Sequence, residues 1–204
     1  MIMDMESGIF KRNVSGSTKR LAAATVGIAG CGGIGSNTAV YLTRAGVGNL
    51  ILVDHDSIEE SNLNRQHFFQ NDIGRVKVEA LADHLRAINP SIRLKLHDTR
   101  LTADNLIEIY GDAQILIEAF DRAEDKHWLL EKWCSARPDR PVIGVSGIAG
   151  IGNNASIELR TSGNIHIVGD ERSDPQIGLC GARVAIAAAI QANTAIALIT
   201  GGEV

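Results

Sequence analysis

A glycine-rich run near residue 30 is the first feature of this sequence that could bind a ligand. It reads Gly-Cys-Gly-Gly-Ile-Gly from Gly30 to Gly35, between the apolar run Thr25–Ala29 and a segment predicted to be a helix. Glycines at such a turn avoid the clash of a Cβ atom, so phosphates can approach the backbone N–H groups at the start of the helix. Asp54 ends the next predicted strand, where a carboxylate can bind a ribose hydroxyl. The run therefore predicts a nucleotide site, but it does not choose between nicotinamide, flavin and ATP.

Two cations follow the glycine run in an order that suits the chemistry of a triphosphate. Asn62, Arg65 and Gln66 belong to the run Asn-Leu-Asn-Arg-Gln, and Lys77 comes shortly afterwards. Arginine can contact phosphate oxygens through two N–H groups at once, and lysine supplies a point charge. Each cation alone would more often be an ordinary surface charge. Their order after a glycine turn and an acid favours neutralisation of an attacked phosphoryl group.

Asp121 is a third candidate because it follows directly on the predicted strand 114–118. Open α/β sheets bind their ligands at the carboxyl ends of the strands, and a carboxylate there can hold Mg²⁺. The alternative is that Asp121 caps the helix that follows. Asp56 can assist in the same way as Asp121, or it only shapes the turn after the second strand.

Strands and helices alternate along the first 145 residues, which predicts a Rossmann-like, doubly wound α/β fold with a mainly parallel sheet. Two later strands flank Thr161-Ser162-Gly163 and predict an antiparallel C-terminal extension. We expect residues 1–20 to form an N-terminal arm and residues 21–204 to form one nucleotide-binding domain. The predicted strands are 25–29, 50–53, 92–96, 114–118, 142–145, 155–160 and 164–168, and the predicted helices are 34–45, 76–88, about 103–110, 126–136 and about 182–199.

Composition excludes several classes of protein. Hydrophobic residues make up 45% and charged residues 22% of the 204 residues, so the chain can bury a core and is not disordered. The net charge of −4 does not favour nucleic acid as a partner. The apolar stretch Val184–Thr200 is interrupted by polar residues and predicts a buried helix, with no membrane partner. Asp4 and Glu6 stand where a signal peptide would be apolar, so we expect none, and widely spaced cysteines suit the reducing cytoplasm.

Missing motifs narrow the choice of nucleotide. The sequence has no Gly-Lys-Ser/Thr, so the glycine run is not a Walker-type phosphate loop. Neither Tyr41 nor Tyr110 has a lysine four residues later, so the residue pair of short-chain dehydrogenases is missing. These absences, together with Arg65 and Lys77, count against a nicotinamide oxidoreductase.

The order of these motifs resembles the ThiF/MoeB/HesA family of ubiquitin-activating-enzyme-like adenylyltransferases. The resemblance covers the chain from about Leu21, and Asn-Leu-Asn-Arg-Gln is its most specific part. Several later runs look like a short ThiF subgroup associated with thiamine biosynthesis. These runs are Glu118–Asp121, Ser146–Gly150, Gly169-Asp170 and Gln191–Asn193.

The resemblance implies a reaction and a set of residues. The family uses MgATP to adenylate the C-terminal Gly-Gly carboxylate of a small ubiquitin-like sulfur-carrier protein, and sulfur is transferred later. By resemblance, Arg65, Lys77 and Asp121 would be catalytic, and Asp121 would hold Mg²⁺. No general base is needed, because a carboxylate is already ionised at neutral pH. The implied ATP-binding residues are Gly30, Gly32, Gly33, Gly35, Asp54, Asp56, Asn62, Arg65, Gln66 and Lys77.

The cysteines and the N-terminal segment depart from the family pattern. Many relatives bind zinc through two Cys-x-x-Cys pairs, and Cys31, Cys134 and Cys180 have no such spacing, so we expect no zinc. Relatives that form a thioester or persulfide use a loop cysteine. Cys180 is the candidate nucleophile, with a packed thiol as the alternative. Family dimers often insert an N-terminal arginine into the partner's ATP site, so we expect a homodimer with Arg12 in that role, although its spacing to the glycines is short.

Two other functions remain compatible with the same fold. One is a ThiF-like enzyme that activates modified tRNA, which the acidic balance of the chain disfavours. The other is a non-catalytic nucleotide-binding partner, which the complete set of Arg65, Lys77 and Asp121 disfavours.

Overall fold

Seven strands form one sheet at the centre of the protein. The computed structural model describes residues 8–204, so the first seven residues of the predicted arm, with Asp4 and Glu6, lie outside the described residues. The strands are β1 (Thr25–Ala29), β2 (Asn49–Asp54), β3 (Arg93–Asp98), β4 (Ile115–Glu118), β5 (Val142–Val145), β6 (Glu158–Ser162) and β7 (Ile165–Gly169). Their order is β3-β2-β1-β4-β5-β7-β6.

All neighbouring strands are parallel except β6 and β7, which are antiparallel. The predicted doubly wound sheet with an antiparallel C-terminal extension is therefore confirmed. The chain moves outward from β1 to β3 on one side and from β4 outward on the other, so the switch point lies between β1 and β4. The turn between β6 and β7 is Gly163-Asn164, one residue beyond the predicted position, because Gly163 supplies the positive φ of 57° that a two-residue hairpin turn needs.

Within residues 8–204, six α-helices cover the two faces of the sheet. They are α1 (Ser17–Ala23), α2 (Gly33–Ala45), α3 (Lys77–Ile88), α4 (Leu106–Ile109), α5 (Ala123–Ala136) and α6 (Gly181–Thr200). α5 begins three residues earlier than predicted and α4 is shorter than predicted. α1 crosses residue 20, the predicted end of the arm, and the division into arm and domain stays a prediction.

Each face of the sheet has its own apolar core. α2, α3 and α6 pack on one face, and α4 and α5 pack on the other. The second core contains the fully buried rings of Tyr110 and Trp133. The Tyr110 hydroxyl donates to the Ile28 carbonyl at 2.7 Å, and a Cβ atom at Gly27 would lie 2.5 Å from the tyrosine ring. Gly27 thus leaves room for a ring that fixes β1, the strand that leads into the glycine run.

α6 is the one helix among residues 8–204 whose length and apolar composition would allow it to cross a membrane. Its contacts are those of a core helix, since it packs along α2 and against β5 and β7. Of its most apolar window, 44% is buried. The predicted helix is therefore present, and it is buried only on the face that packs against α2 and the sheet.

Candidate functional site

The glycine run forms the turn between β1 and α2, at the switch point of the sheet. Gly30 has a φ of +93°, which a residue with a side chain rarely adopts, and its Cβ would lie 3.0 Å from the Ala119 carbonyl oxygen. A Cβ at Gly35 would overlap the Gly30 carbonyl. Gly32 and Gly33 sit at the start of α2, where the free N–H groups of a helix favour anions. The glycines therefore let the turn close tightly and leave the N–H groups at the start of α2 available to an anion.

Asp54 ties the end of β2 to this turn. Its carboxylate accepts the Cys31 N–H at 2.6 Å and the Asp56 N–H at 2.9 Å. Burial and, next, the charge of Asp54 raise the pKa of the Cys31 thiol well above its ordinary value. Cys31 is therefore an uncharged, packed side chain. Asp54 is partly exposed beside the turn and keeps lone pairs for a ribose hydroxyl.

The segment around Arg65 folds over the first turn of α2. Asn37 donates to the Arg65 carbonyl at 2.9 Å, and the Ser36 hydroxyl accepts the His67 N–H at 2.9 Å. The Arg65 stem lies 3.4 Å from where a Cβ atom of Gly33 would be. Asn62 has a local role, because its side-chain oxygen accepts the Glu59 N–H at 3.2 Å. Sequence reasoning missed Ser36 and Asn37, although polar residues in the first turn after a glycine run were the available signal.

The Arg65 guanidinium has only neutral partners among residues 8–204. It donates to the Ser61 carbonyl at 3.1 Å and to the Asn64 side-chain oxygen at 2.8 Å. No carboxylate of the described chain neutralises it. Since charge-assisted hydrogen bonds to phosphate are stronger than bonds to neutral oxygens, this cation is free to bind an anion beside the glycine turn.

Lys77 is the first residue of α3, and its side chain is only 7% exposed. Its ammonium lies 2.7 Å from the carboxylate of Asp56, which is 53% exposed. The Lys77 N–H also donates to the Asp56 carbonyl at 3.0 Å, which fixes the start of the helix. Burial acts to raise the pKa of Asp56, but the hydrogen bond and the charge of Lys77 outweigh it, and this pKa is lowered. A buried cation thus has a half-exposed anionic partner that a phosphate can replace.

Gln66 carries an unsatisfied acceptor at the same place. The residue is 9% exposed, and its side-chain oxygen has no hydrogen-bond partner among residues 8–204. Its side-chain nitrogen lies 3.8 Å from where a Cβ atom of Gly32 would be. A buried acceptor without a partner costs roughly 1–3 kcal/mol. A ligand with a donor group at the glycine turn would remove this cost.

Asp121 lies on the loop after β4, the strand next to β1. The Ala119 N–H donates to the Ala29 carbonyl at 2.9 Å, which holds this loop against the glycine turn. Asp121 is exposed and forms no hydrogen bond or ion pair with residues 8–204. The residue at the N-cap of α5 is Arg122, so the alternative of a capping aspartate is wrong. Its carboxylate is left free at the carboxyl edge of the sheet.

One group of three potential metal-binding side chains occurs within the described part of the chain, and it does not include Asp121. It consists of Asp54, His55 and Asp56, whose ligand atoms lie within 4.8 Å of one another. Two of these carboxylates are already engaged, Asp54 by backbone N–H groups and Asp56 by Lys77. The free carboxylate of Asp121 is the better candidate for Mg²⁺.

Cys180 lies close to this site. It is partly buried at the N-cap of α6, and a Cβ atom at the next residue, Gly181, would overlap the Asn64 carbonyl. Asn64 also donates to the Leu179 carbonyl at 3.4 Å. The start of α6 therefore contacts the residue before Arg65. Burial raises the pKa of Cys134, which is on α5 and away from this site.

Arg12 lies at the opposite end of α2 from the glycine turn. Its neighbour Asn13 donates to the carbonyl of Ala45, the last residue of α2, at 2.8 Å. A helix of 13 residues is about 20 Å long. Arg12 lines a cavity of about 620 Å³ between the N-terminal segment and the end of α6. It does not reach the nucleotide site of its own chain, and its predicted role in a partner's site stays a prediction.

Comparison of the sequence with known proteins finds a matching family and several relatives. The model of the ThiF family matches residues 8–204. The probable adenylyltransferase/sulfurtransferase MoeZ of Mycobacterium tuberculosis is 40% identical over 104 residues, which are 50% of this chain and 26% of that protein. The adenylyltransferase and sulfurtransferase uba4 of Pyricularia oryzae is 31% identical over 163 residues, which are 79% of this chain and 30% of that protein. This chain thus spans less than a third of the length of these two relatives.

The solved structures give the same fold. The tRNA N6-threonylcarbamoyladenosine dehydratase TcdA of E. coli superimposes with a TM-score of 0.83 at 22% identity, covering 91% of this chain and 89% of TcdA. At that identity the likeness shows the fold alone. The family model, by contrast, matches the sequence itself from residue 8 onward, with the glycine turn, Arg65, Lys77 and Asp121 inside the match. This chain therefore belongs to the ThiF family.

Proposed function

We propose that this chain is an ATP-dependent adenylyltransferase. It activates the C-terminal Gly-Gly carboxylate of a ubiquitin-like sulfur-carrier protein, for sulfur transfer in thiamine biosynthesis in the cytoplasm. The observation that carries the proposal is the pair of cations at the glycine turn. Arg65 has no carboxylate partner among residues 8–204, and Lys77 has one that a phosphate can replace. Two such cations suit a reaction at a polyphosphate.

The residues present fit ATP. The start of α2 at Gly32 and Gly33 leaves backbone N–H groups for phosphates, and Asp54 can accept a ribose hydroxyl. The unsatisfied oxygen of Gln66 needs a donor, which phosphates lack and a ribose hydroxyl or an adenine amino group supplies. Asp121 is a free carboxylate of the kind that holds Mg²⁺. The solved TcdA structures include complexes with ATP and with AMP, which agrees with this assignment by analogy.

Charge determines how the residues would act. When bound, MgATP supplies an α-phosphorus to which a carboxylate oxygen of the carrier bonds, while the bond to pyrophosphate breaks and pyrophosphate leaves with the electron pair. Arg65 offsets the repulsion between the carboxylate and the phosphates. Lys77 exchanges the Asp56 carboxylate for phosphate oxygens and favours the leaving group. No residue has to remove a proton, because the carboxylate is ionised at neutral pH.

The partners belong to the same proposal. The names of MoeZ and uba4 join adenylyl transfer to sulfur transfer, which favours a sulfur carrier as the substrate. Within one chain, the length of α2 separates Arg12 from the nucleotide site. If Arg12 contacts a nucleotide, it must therefore do so in the other subunit of a homodimer. Cys180, which lies beside Asn64, is the proposed nucleophile for a later step on the activated carrier, with a packed thiol as the alternative.

ATP–pyrophosphate exchange tests this function directly. With Mg²⁺ and small carriers that end in Gly-Gly, we expect carrier-dependent exchange, and we expect none with a carrier that lacks its last glycine. The Lys95→Met variant is a suitable control, because Lys95 pairs with Asp112 at 2.6 Å and both side chains are exposed. Tight ATP binding without exchange for every carrier would refute the adenylation of a carrier and favour a non-catalytic nucleotide-binding partner.

A second candidate is activation of modified tRNA. The observation that favours it is the TM-score of 0.83 with a tRNA N6-threonylcarbamoyladenosine dehydratase. This similarity shows a shared fold and not a shared substrate. The net charge of −4 counts against it. Exchange or ATP turnover that depends on tRNA with this modification, and not on a carrier protein, would select it.

A further inference from the structure

A buried ion pair lies directly behind the loop that carries Asp121. Glu118, the last residue of β4, is 1% exposed, and Lys126, in α5, is 20% exposed. The lysine ammonium lies 2.9 and 3.1 Å from the two carboxylate oxygens. Gly144 makes room for the carboxylate, since a Cβ atom there would lie 3.1 Å from it. The neighbouring strand therefore accommodates this charged group within the sheet.

This pair is costly to bury, which calls for an explanation. Burial raises the pKa of Glu118, and the charge of Lys126 acts against that shift. Replacing a buried ion pair by apolar residues of similar size is often neutral or stabilising. An apolar pair would fill the same space but could not accept the backbone N–H groups of Phe120 and Val145, so the carboxylate serves hydrogen bonds that packing alone cannot replace.

The pair fixes both ends of the Asp121 loop. On one side of Asp121, the Glu118 carboxylate accepts the Phe120 N–H at 2.7 Å. On the other side, it binds Lys126 in the first turns of α5. Asp121 lies between these two attachments and has no partner of its own among residues 8–204. Its position therefore depends on the Glu118 carboxylate.

The same loop also touches the glycine turn. The Phe120 ring lies 3.4 Å from where a Cβ atom of Gly30 would be. Ala119 is hydrogen-bonded to Ala29 at the end of β1. The loop is thus held by Glu118 on one side and by the glycine turn on the other. These two contacts fix the position of Asp121 relative to a nucleotide bound at the turn.

We propose that Glu118 and Lys126 are positioning residues that hold Asp121 in place to bind the divalent cation at the nucleotide site. The effect on catalysis rests on the proposed function. The effect on the position of the Asp121 loop does not. Glu118 contacts neither substrate nor metal; it acts through the Phe120 N–H and through Lys126. Residues that orient a metal ligand in this way usually contribute about 10–100-fold in metal affinity or activity.

The test compares two double variants. Glu118→Met with Lys126→Met removes both charges and the acceptor for the N–H groups of Phe120 and Val145, without leaving a buried charge unpaired. Glu118→Gln with Lys126→Met also removes the charges, but a glutamine oxygen can still accept that N–H. We expect both variants to remain folded, which a thermal unfolding measurement can check. They differ mainly in the hydrogen bond that holds the loop.

Hydrogen–deuterium exchange gives a readout that needs no activity. We expect the Phe120 amide to exchange faster in the Met/Met variant than in the Gln/Met variant, with the glycine turn at Gly30–Gly35 unchanged. Equal protection of Phe120 in wild type and both variants would overturn the inference, whatever the enzyme does. If the wild-type protein shows no pyrophosphate exchange, the proposed function is refuted. The exchange of the Phe120 amide still tests whether Glu118 holds the loop.

The catalytic consequence is measured by the Mg²⁺ dependence of pyrophosphate exchange. In the Met/Met variant we expect about 10–100-fold more Mg²⁺ for half-maximal rate or an equal loss of kcat. ATP binding without metal should stay within about twofold, and the Gln/Met variant should fall between the Met/Met variant and wild type. In an Asp121→Asn background the Met/Met change should have no further effect, because both act through one carboxylate. Additive losses, or a loss of metal-free ATP binding, would show a general structural role and overturn the inference.

Discussion

The carboxyl edge of the sheet holds its charges in two different ways. Beside β1 and β2, Lys77 has one half-exposed partner, Asp56. Beyond β7, Arg183 is 4% exposed and donates to the Asp170 carboxylate at 2.7 Å, to the Gly152 carbonyl at 2.6 Å and to the Ser156 hydroxyl at 3.0 Å. Arg183 joins α6 to two loops, whereas Lys77 contacts one side chain that solvent already reaches.

This difference separates charges that bind a ligand from charges that hold the fold. Asp170 also accepts the N–H groups of Arg172 and Ser173 at 2.9 and 2.8 Å, so few of its lone pairs are left for a ligand. Replacing either partner of this buried pair by a ligand would leave several polar groups without partners, which is expensive. Exchanging Asp56 for phosphate leaves only a carboxylate that water can solvate. The nucleotide half of the edge is therefore the half that can change partners.

The Arg183→Met variant should show the largest effect on stability. It leaves Asp170 without its cation and frees two loops, and breaking a buried pair typically costs about 3–5 kcal/mol. We expect that loss in the free energy of unfolding by urea at pH 7. The double variant Arg183→Met with Asp170→Asn should recover part of it, because no buried charge then remains unpaired. A loss below about 1 kcal/mol, the range of exposed pairs, would remove the distinction between the two halves.

The Lys77→Met variant should show the reverse pattern. We expect pyrophosphate exchange to fall about 10²–10³-fold, the usual result of removing one group that stabilises developing charge. The free energy of unfolding should change by less than about 1 kcal/mol, because methionine fills the buried path and Asp56 stays solvated. A control on the same helix is Arg86→Met, an exposed residue 3.5 Å from Asp83, which should affect neither quantity. Unfolding of the Lys77 variant would mean that Lys77 serves the fold as Arg183 does.

The sequence predicted which residues meet at the glycine turn, and the reason is physical. These residues follow one another between the end of β1 and the start of α3, so spacing along the chain translates directly into proximity at one edge of the sheet. The glycine turn, Asp54 and Lys77 therefore lie together as expected. Boundaries were less accurate where packing decides them: α5 begins at Ala123, three residues before the predicted start, because its first turn is exposed and polar and has no apolar period to mark it.

The other polar contacts could not be read from the sequence. Arg183 and Asp170 are far from Gly152 along the chain and meet only after β7 and α6 have packed. Glu118 occurs within a strand that otherwise reads as apolar, and its partner Lys126 looks like any helix surface lysine. Nothing in local spacing distinguishes a buried charge from an exposed one, since the partner is chosen by the tertiary fold.

Lowering the pH should have a smaller effect, which is a loss of the stability that Asp170 contributes beside Arg183. Burial acts to raise the pKa of Asp170, but hydrogen bonds from the Ser173 and Arg172 N–H groups and from the Ser173 and Arg183 side chains outweigh it, and this pKa is lowered. The stability that follows is present above the ordinary aspartate pKa of about 4 and is lost as the pH falls through the lowered value. The difference in unfolding free energy between wild type and Asp170→Asn should therefore shrink below about pH 4. A difference that stays constant to pH 2 would contradict this linkage.

Asp56→Asn should have the smallest effect, and it sharpens the comparison most. The pKa of Asp56 is lowered as well, but its carboxylate is half-exposed, so its loss should change the unfolding free energy by less than about 1 kcal/mol. Lys77 then no longer exchanges a carboxylate for phosphate, so ATP should bind a few-fold more tightly, which isothermal titration calorimetry can measure. Lys77→Met with Asp56→Asn is the control, and it should lose this gain. Weaker ATP binding by Asp56→Asn would instead make Asp56 a direct ligand of the nucleotide or its metal, because the removed carboxylate would then have been an attractive group and not a competitor.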